Sequence, residues 1–411
     1  MRSIRMLFPF SLVILMLAAV SAFSASKTGT RLHEYLMRVN PSDEILVWVF
    51  FHDKGSSEIL RDAIPASVVS DRSLQRRLKV RSHESVVDYS DLPVEESYVQ
   101  QISQSVLRIR QRSKWFNAVS VVATEAQLQH LATLPFVREM EMVTRFKKEY
   151  DVVESQSDMN SSHPPQETES ILDLDYGAAL NQVQQINVPV VHNAGNFAQN
   201  VVIAVFDNGF RLLSHESFAD MNIIATYDFV DHKVSVIPNN PSTAFGSHGV
   251  NTLSTIGGYK PGQLIGPAFG ASFILVRTEN DSSETPAEED YWLAGIEWAD
   301  SIGVDVTSTS LGYLDYDSPF PSWTWQNMNG NTTLITRAAD MAAGRGILVV
   351  NSAGNNGSNA SRNTLGAPAD GDSVVAIGAV NAGGTRSSIS SVGPTTSIPA
   401  RIKPDLMAQG S

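Results

Sequence analysis

The chain has 411 residues, 42% of them hydrophobic and 18% charged, the balance of a globular protein with room for two domains that each bury a core. A formal net charge of −13 argues against a nucleic-acid partner, because holding phosphates needs clustered lysine and arginine. The absence of cysteine excludes disulfides, thiol nucleophiles and cysteine-ligated zinc sites.

Residues 1–25 have the pattern of a secretory signal peptide. Arg2 and Arg5 form a basic start, Met6 to Val20 is largely apolar, and Val20-Ser21-Ala22 or Phe23-Ser24-Ala25 offers small residues for cleavage. The apolar run is short for a bilayer span, so a secreted or cell-surface protein is expected, with no membrane contact after signal removal.

Residues 28–147 are expected to form a small α+β unit. Ile45 to Phe51 reads as a strand, rich in β-branched and aromatic residues. Ser70 to Arg81 carries many basic residues and reads as a surface helix. Val94 to Arg112 places Val94, Tyr98, Ile102, Val106 and Ile109 close to helical spacing. Phe116 to Ala123 reads as a strand. Thr124 then caps a helix running to Leu134, with Gln127 completing a capping box, and Pro135 stops it before a last strand, Val137 to Val143. Helices on one face of a sheet suit this order. Residues 148–173 are polar and acidic and include Pro164 and Pro165; they read as a linker too poor in apolar residues to fold alone.

Residues 174–411 alternate strand and helix. The strands expected are Val201–Phe206, Ser272–Thr278, Val304–Ser308, Ile347–Ser352 and Val374–Ala379, and the helices His248–Ile256, Glu289–Ser301 and Thr333–Gly344. Near-continuous apolar strands separated by helices predict an α/β fold, a parallel sheet covered on both faces.

Three short motifs in this region carry chemistry. Asp207 directly follows an apolar strand, at the strand end where catalytic groups gather in open α/β sheets, and Gly209 permits a sharp turn. His248, between Ser247 and Gly249, opens an apolar helix and can present its ring to a pocket. His215, His192 and His232 lack that setting. Ser352-Ala353-Gly354-Asn355-Asn356-Gly357 follows a buried strand; an asparagine amide there can donate to a developing oxyanion, and small neighbours keep the approach open to an extended peptide. Taken singly, a turn, a capping histidine and a glycine-rich loop are the bland alternatives. Their order makes the combination specific.

From about Val201 to Gly410 the chain resembles the subtilisin-like serine proteases. Ser310-Leu311-Gly312, Ala367-Pro368-Ala369, Val374 to Val380, Ser390 to Pro394 and Lys403 to Ala408 match further stretches of that family in its order. The resemblance implies a subtilisin-like fold and a serine endopeptidase acting by acyl transfer. It assigns Asp207 to orienting the imidazole, His248 to general base and acid, and Asn355 to the oxyanion. Ser310, Leu311, Gly312, Ser352, Ala353 and Gly354 would line the substrate cleft and first specificity pocket. Residues 28–147 would be an inhibitory and folding propeptide, cut away within the linker. Protein or peptide substrates and the chain's own propeptide are the partners implied. No cofactor is needed for the chemistry, and structural calcium is compatible with the acidic excess, although no loop has diagnostic ligand spacing.

The sequence also departs from the family. Asn208 stands where serine or threonine is usual, and can bond its own backbone at a turn. Gly249-Val250-Asn251 replaces the common Gly-Thr-His. No Gly-Thr-Ser-Met-like segment occurs, so the nucleophilic serine is expected beyond residue 411, and residues 1–411 alone are expected to be inactive. Two rivals stay open: a non-catalytic pseudoprotease used for adhesion or peptide binding, and a nucleotide-binding α/β domain, which the loop at Gly209 serves poorly.

Overall fold

The computed structural model describes residues 27–60, 64, 66–143, 173–239, 246–280, 287–314, 322–359 and 361–410. The expected signal peptide, and all of the expected linker except Asp173, lie outside these residues. In chain order the first elements are α1 (Thr30–Leu36), β1 (Ile45–Phe51), α2 (Asp71–Arg77), α3 (Glu96–Ser103), β2 (Arg108–Ser113), β3 (Ala118–Ala123), α4 (Glu125–Thr133) and β4 (Val137–Met142). Then come α5 (Leu180–Gln185), α6 (Val188–Asn193), β5 (Val202–Asp207), β6 (Asn222–Asp228), α7 (Ser247–Gly257), β7 (Tyr259–Lys260), β8 (Leu264–Ile265) and β9 (Ser272–Arg277). The series closes with α8 (Ala287–Ile302), β10 (Val306–Thr309), α9 (Leu334–Ala343), β11 (Leu348–Ser352), β12 (Val375–Val380) and β13 (Leu406–Gln409). The described residues fall into two compact units, 27–68 with 87–143, and 69–86 with 173–410.

In the first unit four antiparallel strands run in the order β2-β3-β1-β4. Alternate residues of β1 (Ile45, Val47, Val49 and Phe51) enter one core with Leu32 of α1, Ile102 of α3 and Leu131 of α4. The predicted capping box forms: Thr124 N donates to Gln127 Oε1 at 2.9 Å and Gln127 N to Thr124 Oγ1 at 3.5 Å. The single helix expected over Val94 to Arg112 does not. It ends at Ser103, and β2 follows. Val106 and Ile109 keep the helical spacing because they reach the same core from a loop and a strand. Arg108 and Arg112 are exposed on that edge strand, where charge discourages further pairing.

In the second unit seven parallel strands run in the order β13-β12-β11-β10-β5-β9-β6. From β5 the chain passes outward to β6 and back to β9, then crosses β5 to β10 and proceeds outward the other way. The order therefore reverses between β5 and β10, and the carboxyl ends of those two strands flank the crevice in which such sheets bind ligands. On one face, Val250 and Leu253 of α7 pack with Ile203, Val205, Phe273 and Leu275. On the other, Trp292 of α8 meets Phe206 with ring centroids 5.6 Å apart.

The five expected strands of this unit all form, with ends shifted by at most two residues. Strands β6 and β13 were not anticipated. Both are sheet edges whose residues are mostly half-buried or exposed, so neither carries a continuous apolar signal. The basic segment over Ser70 to Arg81 also differs from expectation. Its helix is shorter, and Arg76 and Arg77 are buried, at 2% and 0% exposure, against Asp300. Nothing local announces that burial, because the acidic partner lies more than two hundred residues away.

Candidate active site

Strand β5 is buried at all six positions and delivers Asp207 at 0% exposure into the crevice end of the sheet. The chain turns through Gly209, at φ +130°, and α7 returns with His248 in its first turn. His248 Nδ1 lies 2.7 Å from Asp207 Oδ1. An ionised carboxylate only accepts, so Nδ1 carries the ring proton and Nε2 keeps its lone pair. The imidazole is 37% exposed, and so open to a reactant.

The carboxylate is itself held. Asn208 N donates to Asp207 Oδ1 at 2.8 Å. Thr252 Oγ1 lies 3.0 Å from Asp207 Oδ2 and 3.1 Å from Gly249 O, sharing its proton between them. Asn208 Oδ1 accepts from Gly249 N at 3.1 Å and ties the Asp207 turn to the His248 helix. The approach is close: a Cβ on Gly249 would lie 2.2 Å from Gly209 O and 3.0 Å from Asp207 Cβ. Behind the turn, buried Arg277 donates from Nε to Asn208 O at 3.0 Å and from one terminal nitrogen to Asp228 and Asp231, each at 2.8 Å.

Register sets the other half of the site. Phe206 pairs with Thr309, and Thr309 with Asn351, so Asp207, Ser310 and Ser352 stand one residue further on, at neighbouring strand ends. Asn351 Nδ2 donates to Leu311 O and Ser352 O, both at 2.9 Å, fixing Ser310-Leu311-Gly312 beside Ser352-Ala353-Gly354. Tyr313 and Ala367 exchange two backbone bonds of 2.9 Å just beyond. The following loop is pinned on both sides of Asn355. Ser391 N donates to Gly354 O at 2.9 Å, Asn356 N to Ser391 Oγ at 3.0 Å and Gly357 N to Ile389 O at 2.9 Å. Asn355 itself is exposed between these anchors.

All nine residues singled out in the sequence thus sit at the carboxyl ends of β5, β10 and β11 or at the start of α7. The rival histidines do not. His192 is buried between Tyr176 Oη, at 2.8 Å, and Pro267 O, at 2.9 Å; His215 bonds Ser217 at 2.9 Å; the His232 ring faces Tyr291. Sequence reasoning missed Thr252, Arg277 and Asn351. Thr252 could have been found, being four residues after His248 on the same helix face. Among the described residues no group of three or more His, Asp or Glu is placed to hold a metal ion. No helix among them is long and apolar enough to cross a membrane.

Chemically, an imidazole held at Nδ1 by a buried carboxylate can take a proton at Nε2, and the charged ring is then stabilised by that carboxylate. Comparison with known proteins agrees with this geometry. Residues 198–411 match the Subtilase family, and residues 46–161 match the Peptidase S8 propeptide domain of Bacteroidota. The chain is 33% identical over 212 residues to subtilisin NAT of Bacillus subtilis subsp. natto and 32% identical to subtilisin E of Bacillus subtilis (strain 168) and to a subtilisin of Bacillus pumilus. The match takes in 51% of this chain and 49%, 49% and 68% of those three relatives. The chain thus spans about half the length of the first two.

Proposed function

The chain belongs to the subtilase family, and from that premise we propose that it is the precursor of a secreted serine endopeptidase. The observation that carries this reading is the 2.7 Å contact of His248 with buried Asp207, beside the strand ends that bear Ser310 and Ser352. The attacking hydroxyl is assigned to a serine outside residues 1–411. His248 Nε2 takes the hydroxyl proton as the serine oxygen bonds to the substrate carbonyl carbon. The tetrahedral oxyanion receives a hydrogen bond from Asn355 Nδ2. His248 then gives its proton to the leaving amine, and water hydrolyses the acyl-enzyme by the same steps. Ser310 to Gly312 and Ser352 to Gly354 bind the extended substrate backbone and its first side chain.

Residues 28–147 serve as the propeptide, assisting folding and blocking the cleft, and processing falls in residues 148–173. The propeptide match at 46–161 supports the first assignment. The test is hydrolysis of casein and of fluorogenic peptides by the full-length protein. Turnover that a serine-directed phosphonate abolishes is expected. Folded full-length protein that cleaves no peptide faster than buffer does would overturn the reading.

A further inference from the structure

Residues 69–86 lie inside the propeptide match, yet they belong to the compact unit built by residues 173–410. Their attachment is specific. Arg76 donates to Arg345 O at 3.0 Å and to Val304 O at 2.8 Å, and pairs with one oxygen of the Asp300 carboxylate, while Arg77 takes the other. All three side chains are at most 1% exposed. Around them, Arg72 pairs with Asp305 and donates to Gly303 O at 2.9 Å, and Arg81 donates to Gly344 O at 2.8 Å. Ser70 Oγ donates to Ile302 O at 3.0 Å, and Ser70 N to Ser301 O at 3.3 Å.

These acceptors cluster at two helix ends, Ser301 to Val304 at the close of α8 and Gly344 and Arg345 just past α9, where unsatisfied carbonyls and the helix dipole favour cations. The cradle is also shaped for its occupant. A Cβ on Gly303 would lie 2.7 Å from Ser73 N, and one on Gly346 would lie 3.1 Å from Arg76 O. Asp300 to Asp305 precede β10, so this cradle lies at the amino ends of the parallel strands, opposite the edge that bears Asp207 and Ser310.

We infer that the end of α8, with Asp300 and Asp305, is a docking site for the chain's own basic segment 69–86, and that it tethers the propeptide independently of the substrate cleft. The inference rests on residues 28–147 being a propeptide. A cut in the linker then does not release the propeptide; release also requires loss or destruction of this segment. Removing one side of a buried ion pair strands the other charge, so losing both guanidiniums weakens the tether at least about 100-fold.

The experiment uses the full-length protein in a His248→Ala background, with a site for an added protease placed in residues 148–173. After cleavage the amino-terminal fragment should remain bound on size exclusion. The Arg76→Met, Arg77→Met double variant should lose it at least about 100-fold faster, and Arg112→Met should behave as the parent. Equal dissociation of parent and double variant would overturn the inference. Should the double variant not fold, hydrogen exchange on the parent decides. Amides of residues 70–81 should stay protected with those of α9 in urea that opens the β1–β4 sheet; exchange in step with that sheet overturns the tether. Neither readout involves peptide hydrolysis. Failure here leaves the protease reading standing, and an inactive full-length protein that keeps its fragment sinks only the latter.

Discussion

Asp207 can direct His248 only while its own carboxylate is prevented from turning, and three donors do that from different parts of the chain: His248 Nδ1, Asn208 N and Thr252 Oγ1. Replacing Thr252 by valine removes the one bond to Oδ2 and keeps the shape. A net hydrogen bond is worth about 1 kcal/mol, so kcat of the full-length enzyme should fall roughly fivefold with KM unchanged. An unchanged kcat would mean that Asp207 is held without it. Asn355→Ala should lower kcat about 10²–10³-fold, the loss seen when subtilisin is deprived of an oxyanion-hole asparagine; a loss in KM alone would remove Asn355 from the oxyanion. At this scale the placement of Asp207, His248 and Asn355 in the fold was legible because each is fastened to a local pattern, an apolar strand before glycine, a helix start, a small-residue loop. Arg277 was not, because its partner Asn208 is 69 residues away and only the pairing of β5 with β9 brings them together.

Elements position these residues by close approach. Helix α7 can lie against the Asp207 turn only because Gly249 has no side chain. Gly249→Ala is expected to cost about 1–3 kcal/mol in urea unfolding and to reduce kcat as well, since the displaced helix carries His248. Full stability and activity would show that the helix is not seated so tightly. In the first unit, Glu95 caps α3. Its carboxylate accepts from Ser56 N at 2.7 Å, Ser56 Oγ at 2.6 Å and Ser97 N at 3.1 Å. The Ser56 bonds, then those of Ser97, hold its pKa down at about 2. A depressed carboxylate pKa stabilises the fold fully above the ordinary carboxylate range, and that contribution is lost as pH falls toward 2. Glu95→Gln should therefore destabilise this unit by about 1–2 kcal/mol at pH 7, with the difference closing below pH 3. A pH-independent difference would show that packing, not ionisation, is lost. The strands legible in the sequence were those with an apolar run, together with β4, an edge strand marked instead by the helix stop at Pro135 before it. Strands β2, β6 and β13 had neither signal, because each is an edge strand whose residues are mostly half-buried or exposed.

Across the whole molecule, the parallel order of the second unit places β5 and β10 at the reversal of the sheet, and that fixes where chemistry can occur. The α/β class followed from strand and helix alternation alone. The burial of Arg76 and Arg77 did not, since a basic run on a short helix reads as a solvated face until Asp300 is brought to it. The central claim is that Asp207 and His248 activate a serine. The most direct measurement is labelling of the full-length protein with a fluorophosphonate probe, alongside its His248→Ala variant. One labelled serine in the parent, at a position that His248→Ala leaves unlabelled, is the result predicted here. A folded parent that takes no label, or equal labelling of the two proteins, would contradict it.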